Sequence, residues 1–165
     1  MHMADALVST PVASGAGIAA IVLLGVAGYK VNKAKGVNSS IVPLMGVLGA
    51  FVFAAQMINF TIPGTSSSGH IIGGVLLAAF LTISSVLIIQ CLIFADGELF
   101  ALGCNIINMG AMSTLVAYPL IFRPLTRHRH SATRLVFASV LACLVGIEAG
   151  ACGVTLETEF SGKRN

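Results

Sequence analysis

The sequence predicts an all-α polytopic membrane bundle: about six transmembrane helices, two of them short, in one integral membrane domain covering residues 1–165. Three observations carry this. Of the 165 residues, 56% are hydrophobic and only 9% charged, where a soluble domain carries roughly 25% charged residues. The mean hydropathy is +0.96. The apolar residues gather in long blocks separated by short polar breaks, and a chain crossing lipid must satisfy its backbone internally, which favours helices.

The blocks are read at about 12–29, 41–60, 71–95, 101–122 and 135–156. The first can span a membrane. It is not read as a signal peptide, because the first ten residues hold no Lys or Arg and carry Asp5. The break after it, Lys30 to Gly36, is basic. The break from Thr61 to Gly69, TIPGTSSSG, is uncharged and reads as a turn-rich loop. Asp96-Gly97-Glu98 is short and acidic, and Arg123 to Arg134 is strongly basic. There is no Trp to mark the interfaces. The four cysteines, Cys91, Cys104, Cys143 and Cys152, lie in apolar stretches without CxxC spacing and are read as free, buried small hydrophobes.

Basic residues concentrate in cytoplasmic loops. Lys30, Lys33 and Lys35 form one cluster and Arg123, Arg127, Arg129 and Arg134 another, so both loops are expected inside and the N-terminus outside. For parity, block 71–95 must then contain two short helices, with a turn expected at Leu81 to Ser85. The first of these would be about 15 Å long, half a bilayer, and would need cover from the bundle.

The residues that could carry chemistry begin at the first position. Met1 and His2 place a free amine, an amide nitrogen and an imidazole in sequence, able to close a five-membered and then a six-membered chelate ring on one ion. A large second residue such as His2 should leave Met1 in place, since the aminopeptidase that removes it prefers a small one. His70 falls, by the same topology, on the outer side beside the uncharged loop, where Gly69 and the serines leave the backbone free to approach. Met1, His2 and His70 together offer four nitrogens. Displacing an amide proton and accepting a square-planar nitrogen set favours nickel(II), with cobalt(II) the alternative; zinc(II) prefers tetrahedral sites and copper(I) sulfur ligands.

Asn59, Asp96 and Asn105 lie near the expected outer face and are candidates for orienting His2 or His70 by hydrogen bonds from behind. Helix capping or interhelical bonding explains each equally well. Glu148, inside an apolar block, is a candidate for an intramembrane polar role. His128 and His130 alternate with Arg127 and Arg129, which repel a cation, and read as a basic loop against anionic lipid. Small residues at Gly46, Ala50 and Ala54, and at Ala13 and Gly17, make faces for close helix contact. The chain has no phosphate-binding loop and no nucleophile–base pair, so no enzyme, no catalytic residue and no nucleic-acid partner is expected.

The segments MHMADAL, PLMGVLGAFVFAAQMINFTIPGTSSSGH, FADGELFALGCNI and GACGVTLET together resemble the CbiM/NikM family, the substrate-binding membrane subunits of energy-coupling factor transporters for cobalt and nickel. The resemblance runs in order over nearly the whole chain. It implies metal binding by Met1, His2 and His70, seven helices with the N-terminus outside, and a Gly-Pro break where this chain has Leu81-Thr82. It also implies partners: a transmembrane coupling subunit, ATPase subunits and a small accessory membrane subunit. Two departures stand out. The family's Ser-Pro-Ala after the start is Ser9-Thr10-Pro11 here, and the sequence reaches Asn165 where the family continues into a further long helix, so the C-terminal helix is expected to be absent. The function expected is capture of nickel or cobalt for an ATP-driven importer in the cell membrane. The alternative is a membrane metal sensor or structural partner that binds without transporting; a channel is disfavoured, because no filter motif or charged ring is present.

Overall fold

The computed structural model describes residues 3–33, 41–62, 67–70, 74, 79–94, 99–127 and 131–162. Helix α1, Thr10–Lys33, starts as the Ser9 carbonyl accepts from the Ala13 N–H at 2.9 Å. Pro11 sits in its first turn, where a missing N–H costs nothing, and Lys30 and Lys33 in its last, where they oppose the helix dipole. Helix α2 is Ile41–Gln56, shorter than the apolar block 41–60, because Asn59–Ile62 instead form strand β1. This pairs antiparallel with β2, Ser67–His70. The expected loop is therefore a short hairpin on an otherwise helical bundle, with Asn59 opposite His70 in register. Helix α3 is Phe80–Phe94.

Helix α4, Leu102–Thr126, and helix α5, Ala132–Phe160, are, like α1, long and apolar enough to cross a membrane. The middle of α4, Ile106–Phe122, is wound as a π-helix, a winding rarely seen beyond a single turn. Within it the Ser113 and Thr114 hydroxyls bond back to the carbonyls of Met109 and Gly110, each at 2.8 Å. At the start of α5, the Ser131 hydroxyl caps the helix by accepting from Arg134 N–H at 3.2 Å.

Contacts fix the directions. Gly17 of α1 lies against Gly103 of α4, so closely that a Cβ on Gly103 would stand 2.6 Å from the Gly17 backbone. Before it Ala13 clusters with Ala101 and Cys104, and beyond it Ala20 and Leu24 share a cluster with Ile106 and Met109, so α1 and α4 run the same way. Helix α5 runs opposite to α4: Gly146 lies against Ser113 and Ala117, and Gly153 against Asn108. Helices α2 and α3 are parallel, since Gly49 packs on Thr82 and Val86 and Gln56 bonds to Gln90.

Two parallel helices in succession require the chain between them to travel back. Gly74 is helical and buried against Ser113, in the middle of α4, and Phe80 meets Gly110 nearby. Gly74, the described residue between the hairpin and Ala79, thus lies level with the middle of α4. The break itself lies elsewhere than expected. Ala79 is non-helical, whereas α3 runs unbroken through Leu81 to Ser85. The two serines of that stretch are absorbed by the helix: the Ser85 hydroxyl donates to the Leu81 carbonyl at 2.8 Å, and Ser84 is buried.

These directions give the bundle two unlike ends. Asp5, Glu157 and Glu159 lie at the end where α1 and α4 begin; Lys30, Lys33, Arg123, Arg127 and Arg134 lie at the other. Of the cysteines, all free, Cys91 and Cys104 are buried, but Cys143 is half-buried and Cys152 exposed on α5. An apolar sequence context does not distinguish a position facing the core from one facing lipid, which is why the expected burial fails there.

Candidate metal centre

The N-terminal segment is packed into the bundle as a plug. Met3 is 0% exposed, and Leu7 and Val8 join it in a core cluster with Ala13, Ala101 and Cys104. Polar groups at the start of α4 hold the segment by its main chain. The Met3 N–H donates to Asn105 Oδ1 at 2.7 Å, and Asn105 Nδ2 donates to the Met3 carbonyl at 3.4 Å. An amide offers one donor and one acceptor group, so a single Asn can read both sides of one residue, as a strand neighbour would. Two residues on, Asp5 Oδ1 accepts from the Ala101 N–H at 2.7 Å. At the end of the plug the Ser9 N–H donates to Ser161 Oγ at 3.0 Å, tying it to the last turn of α5.

Below Met3 lies a second layer. Asn108 Nδ2 donates to Glu157 Oε2 at 2.6 Å and approaches the Met3 thioether sulfur at 3.8 Å. The Cys104 thiol lies near the same Glu157 carboxyl group. Gly153, one turn before Glu157, leaves the room Asn108 needs: a Cβ there would collide with Asn108 Oδ1.

The expected site residues fall as follows. Met1, His2 and Asp96 lie outside the described residues, as do His128 and His130. Asn59 and His70 are brought opposite each other by the hairpin backbone, just past the end of α2. Asn105 is fully buried and grips Met3. Glu148 is exposed on α5, nine residues before Glu157 and so about 13 Å further down the helix. Among the described residues no three His, Cys, Asp or Glu side chains gather as a metal cluster. Sequence reasoning passed over Met3, Asn108 and Glu157 as parts of this end. One signal was available: Asn105 and Asn108, three apart in an apolar block, share a helix face.

A helical bundle with unlike charged ends, plugged by its own N-terminal segment, is a polytopic membrane protein built around that segment. Comparison with known proteins says which kind. Residues 2–165 match the family model CbiM, described as the cobalt uptake substrate-specific transmembrane region. An Archaeoglobus fulgidus protein provisionally named as a fused nickel transport protein, NikMN, is 34% identical over 98% of this chain and 51% of its own. A Methanosarcina barkeri protein provisionally named cobalt transport protein CbiM 2 is 36% identical over 58% of this chain and 43% of its own. A crystal structure described as a truncated transition metal transporter superposes with a TM-score of 0.84 at 33% identity, covering 96% of this chain and 74% of that one. The chain thus spans about half the length of these two relatives. It belongs to the CbiM family, whose model describes a transmembrane region.

Proposed function

We propose that this chain is the substrate-capturing component of an ATP-driven energy-coupling factor importer for nickel(II) or cobalt(II), and that Met1, His2 and His70 hold the ion. The observation that carries the reading is the burial and double hydrogen bonding of Met3. A trans peptide keeps successive Cα atoms about 3.8 Å apart, so a fixed Met3 restricts where the amine and imidazole of the two preceding residues can reach. The hairpin register supports His70 as the partner, because it anchors that backbone position beside the end of α2. Asn105 serves the site through Met3. Asn59 and Asp96 are proposed to orient ligands at the same end, and Glu148 is left as an outward-facing intramembrane polar group.

Orientation follows from charge. The end bearing Lys30, Lys33, Arg123, Arg127 and Arg134 faces the cytoplasm of a cell-membrane protein, so the N-terminus and the hairpin face outside. There an ion exchanges water for nitrogen. Transport then requires a coupling subunit, ATPase subunits and a small accessory membrane subunit, since the sequence carries no phosphate-binding loop. The fused relatives, whose names join two components, favour this over a sensor that binds without transporting.

The test is a nickel titration on protein with its native amino terminus. His70→Ala should weaken binding at least as much as losing an orienting partner does, about 10–100-fold, while His128→Ala and His130→Ala, interleaved with arginines in the sequence, should leave it unchanged. Equal loss in all three variants, or parental binding by His70→Ala, would refute the site.

A further inference from the structure

We propose that Glu157 is a positioning residue for the metal site, acting through Asn108 on Met3; this rests on the reading of Met1, His2 and His70 as ligands. An Asn side-chain nitrogen carries two protons. Glu157 Oε2 takes one at 2.6 Å, which leaves the other directed at the Met3 sulfur 3.8 Å away. Among the described residues the carbonyl side of Asn108 has no hydrogen-bond partner, and it rests against the bare backbone of Gly153. The amide is therefore oriented from α5 alone, by a carboxyl group that holds it and by a glycine one turn earlier that makes space for it. Cys104, four residues before Asn108 on α4, lies near the same carboxyl group, so Glu157 stands beside two residues of α4 around the buried side chain of the plug.

Asn105 fixes the main chain of Met3, but it shares α4 with Asn108 and Cys104 and would hold wherever α5 stood. Glu157 makes the grip on Met3 depend on the packing of α5 against α4. With the grip closed, Met3 sits at the depth that presents the two preceding residues to an ion. With it lost, the thioether loses its contact with Asn108, while Asn105, Asp5 and Ser9 still tie down the plug. A shift of α5 would loosen the capture site without touching a metal ligand.

The experiment uses the full chain with its native amino terminus in lipid nanodiscs, nickel chloride as the probe, and Glu157→Ala, Glu157→Gln, Gly153→Ala and His2→Ala. Affinity is read by competition, release by transfer to a chelator, and ligand geometry by the visible absorption band; melting of the metal-free protein checks the fold. Glu157→Ala and Gly153→Ala should weaken binding by about 10–100-fold, speed release and broaden the band. Glu157→Gln retains an acceptor for Asn108 and should lose less than Glu157→Ala. Parental affinity, release and spectrum in Glu157→Ala and Gly153→Ala, with His2→Ala dead, would overturn this proposal alone. Parental binding by His2→Ala would overturn the ligand reading beneath it. Should Glu157→Ala fail to fold, Gly153→Ala decides, since it displaces Asn108 while leaving every hydrogen-bonding group in place.

Discussion

Asn105 holds Met3 on both faces of its main chain, accepting from its N–H at 2.7 Å and donating to its carbonyl at 3.4 Å, with both residues almost fully buried. Asn105→Ala should leave two buried backbone groups without partners, a cost of about 1–3 kcal/mol. Asn105→Asp keeps an acceptor for the N–H but supplies no amide donor for the carbonyl, and should fall between. Thermal unfolding of metal-free protein measures the stability order, and nickel competition should return the same order in affinity. An Asn105→Ala protein with parental stability and binding would mean that the plug does not depend on this residue.

The close crossing of α1 and α4 makes a sharp steric prediction. Gly103→Ala places a methyl group 2.6 Å from the Gly17 backbone, and backbone cannot rotate away as a side chain can. Overpacking of this kind costs about 1–3 kcal/mol. Gly25→Ala and Gly46→Ala, where an added Cβ meets nothing within 4 Å, should melt like the parent. Equal melting temperatures for all three would contradict the helix contact.

Between α2 and α3, Gln90 Nε2 donates to Gln56 Oε1 at 3.0 Å, while Gln56 Nε2 and Gln90 Oε1 have no partner among the described residues. Either single change to Met should leave the other amide isolated in the core, destabilising by about 1–3 kcal/mol. The double variant removes both polar groups together and should recover most of that loss. A double-mutant cycle on unfolding in detergent reads the coupling, and strictly additive losses would show that the pair does not act as a unit.

Topology can be tested by labelling. In a background without the four native cysteines, single cysteines at Lys33 and Arg127 should react only from the cytoplasmic side, and cysteines at Ala6 and Ser161 only from outside. Labelling of Lys33 and Arg127 from opposite sides would contradict the parallel course of α1 and α4.

Much of this was legible in the sequence, for reasons particular residues make plain. The long helices follow from uninterrupted apolar runs, and the unlike ends from two clusters of Lys and Arg. The break in block 71–95 could be inferred from charge parity, but not its place: Ser84 and Ser85 look like turn residues in a string, and inside a membrane helix they bond to their own preceding turn or pack in the core. The hairpin was hidden because Asn59 and Phe60 sit at the end of an apolar block while Thr61 and Ile62 open a stretch that reads as a loop. Lipid-facing and core-facing positions were indistinguishable, so Cys152 and Glu148 could not be placed. At the site, the ligand candidates could be named from chemistry alone. The grip on Met3 could not, because Met3, Asn105, Asn108 and Glu157 are brought together only by folding; Met3 is more than a hundred residues from either asparagine.

The central claim is that the ion is held by the very start of the chain. The most direct measurement is nickel binding by two otherwise identical proteins, one beginning at Met1 and one carrying a single added residue before it. The extension turns the terminal amine into an amide and breaks the chelate sequence, while Met3, Asn105 and the bundle are untouched. The account predicts that the extended protein melts like the parent and loses tight nickel binding. An extended protein that binds nickel as tightly as the native one would contradict it.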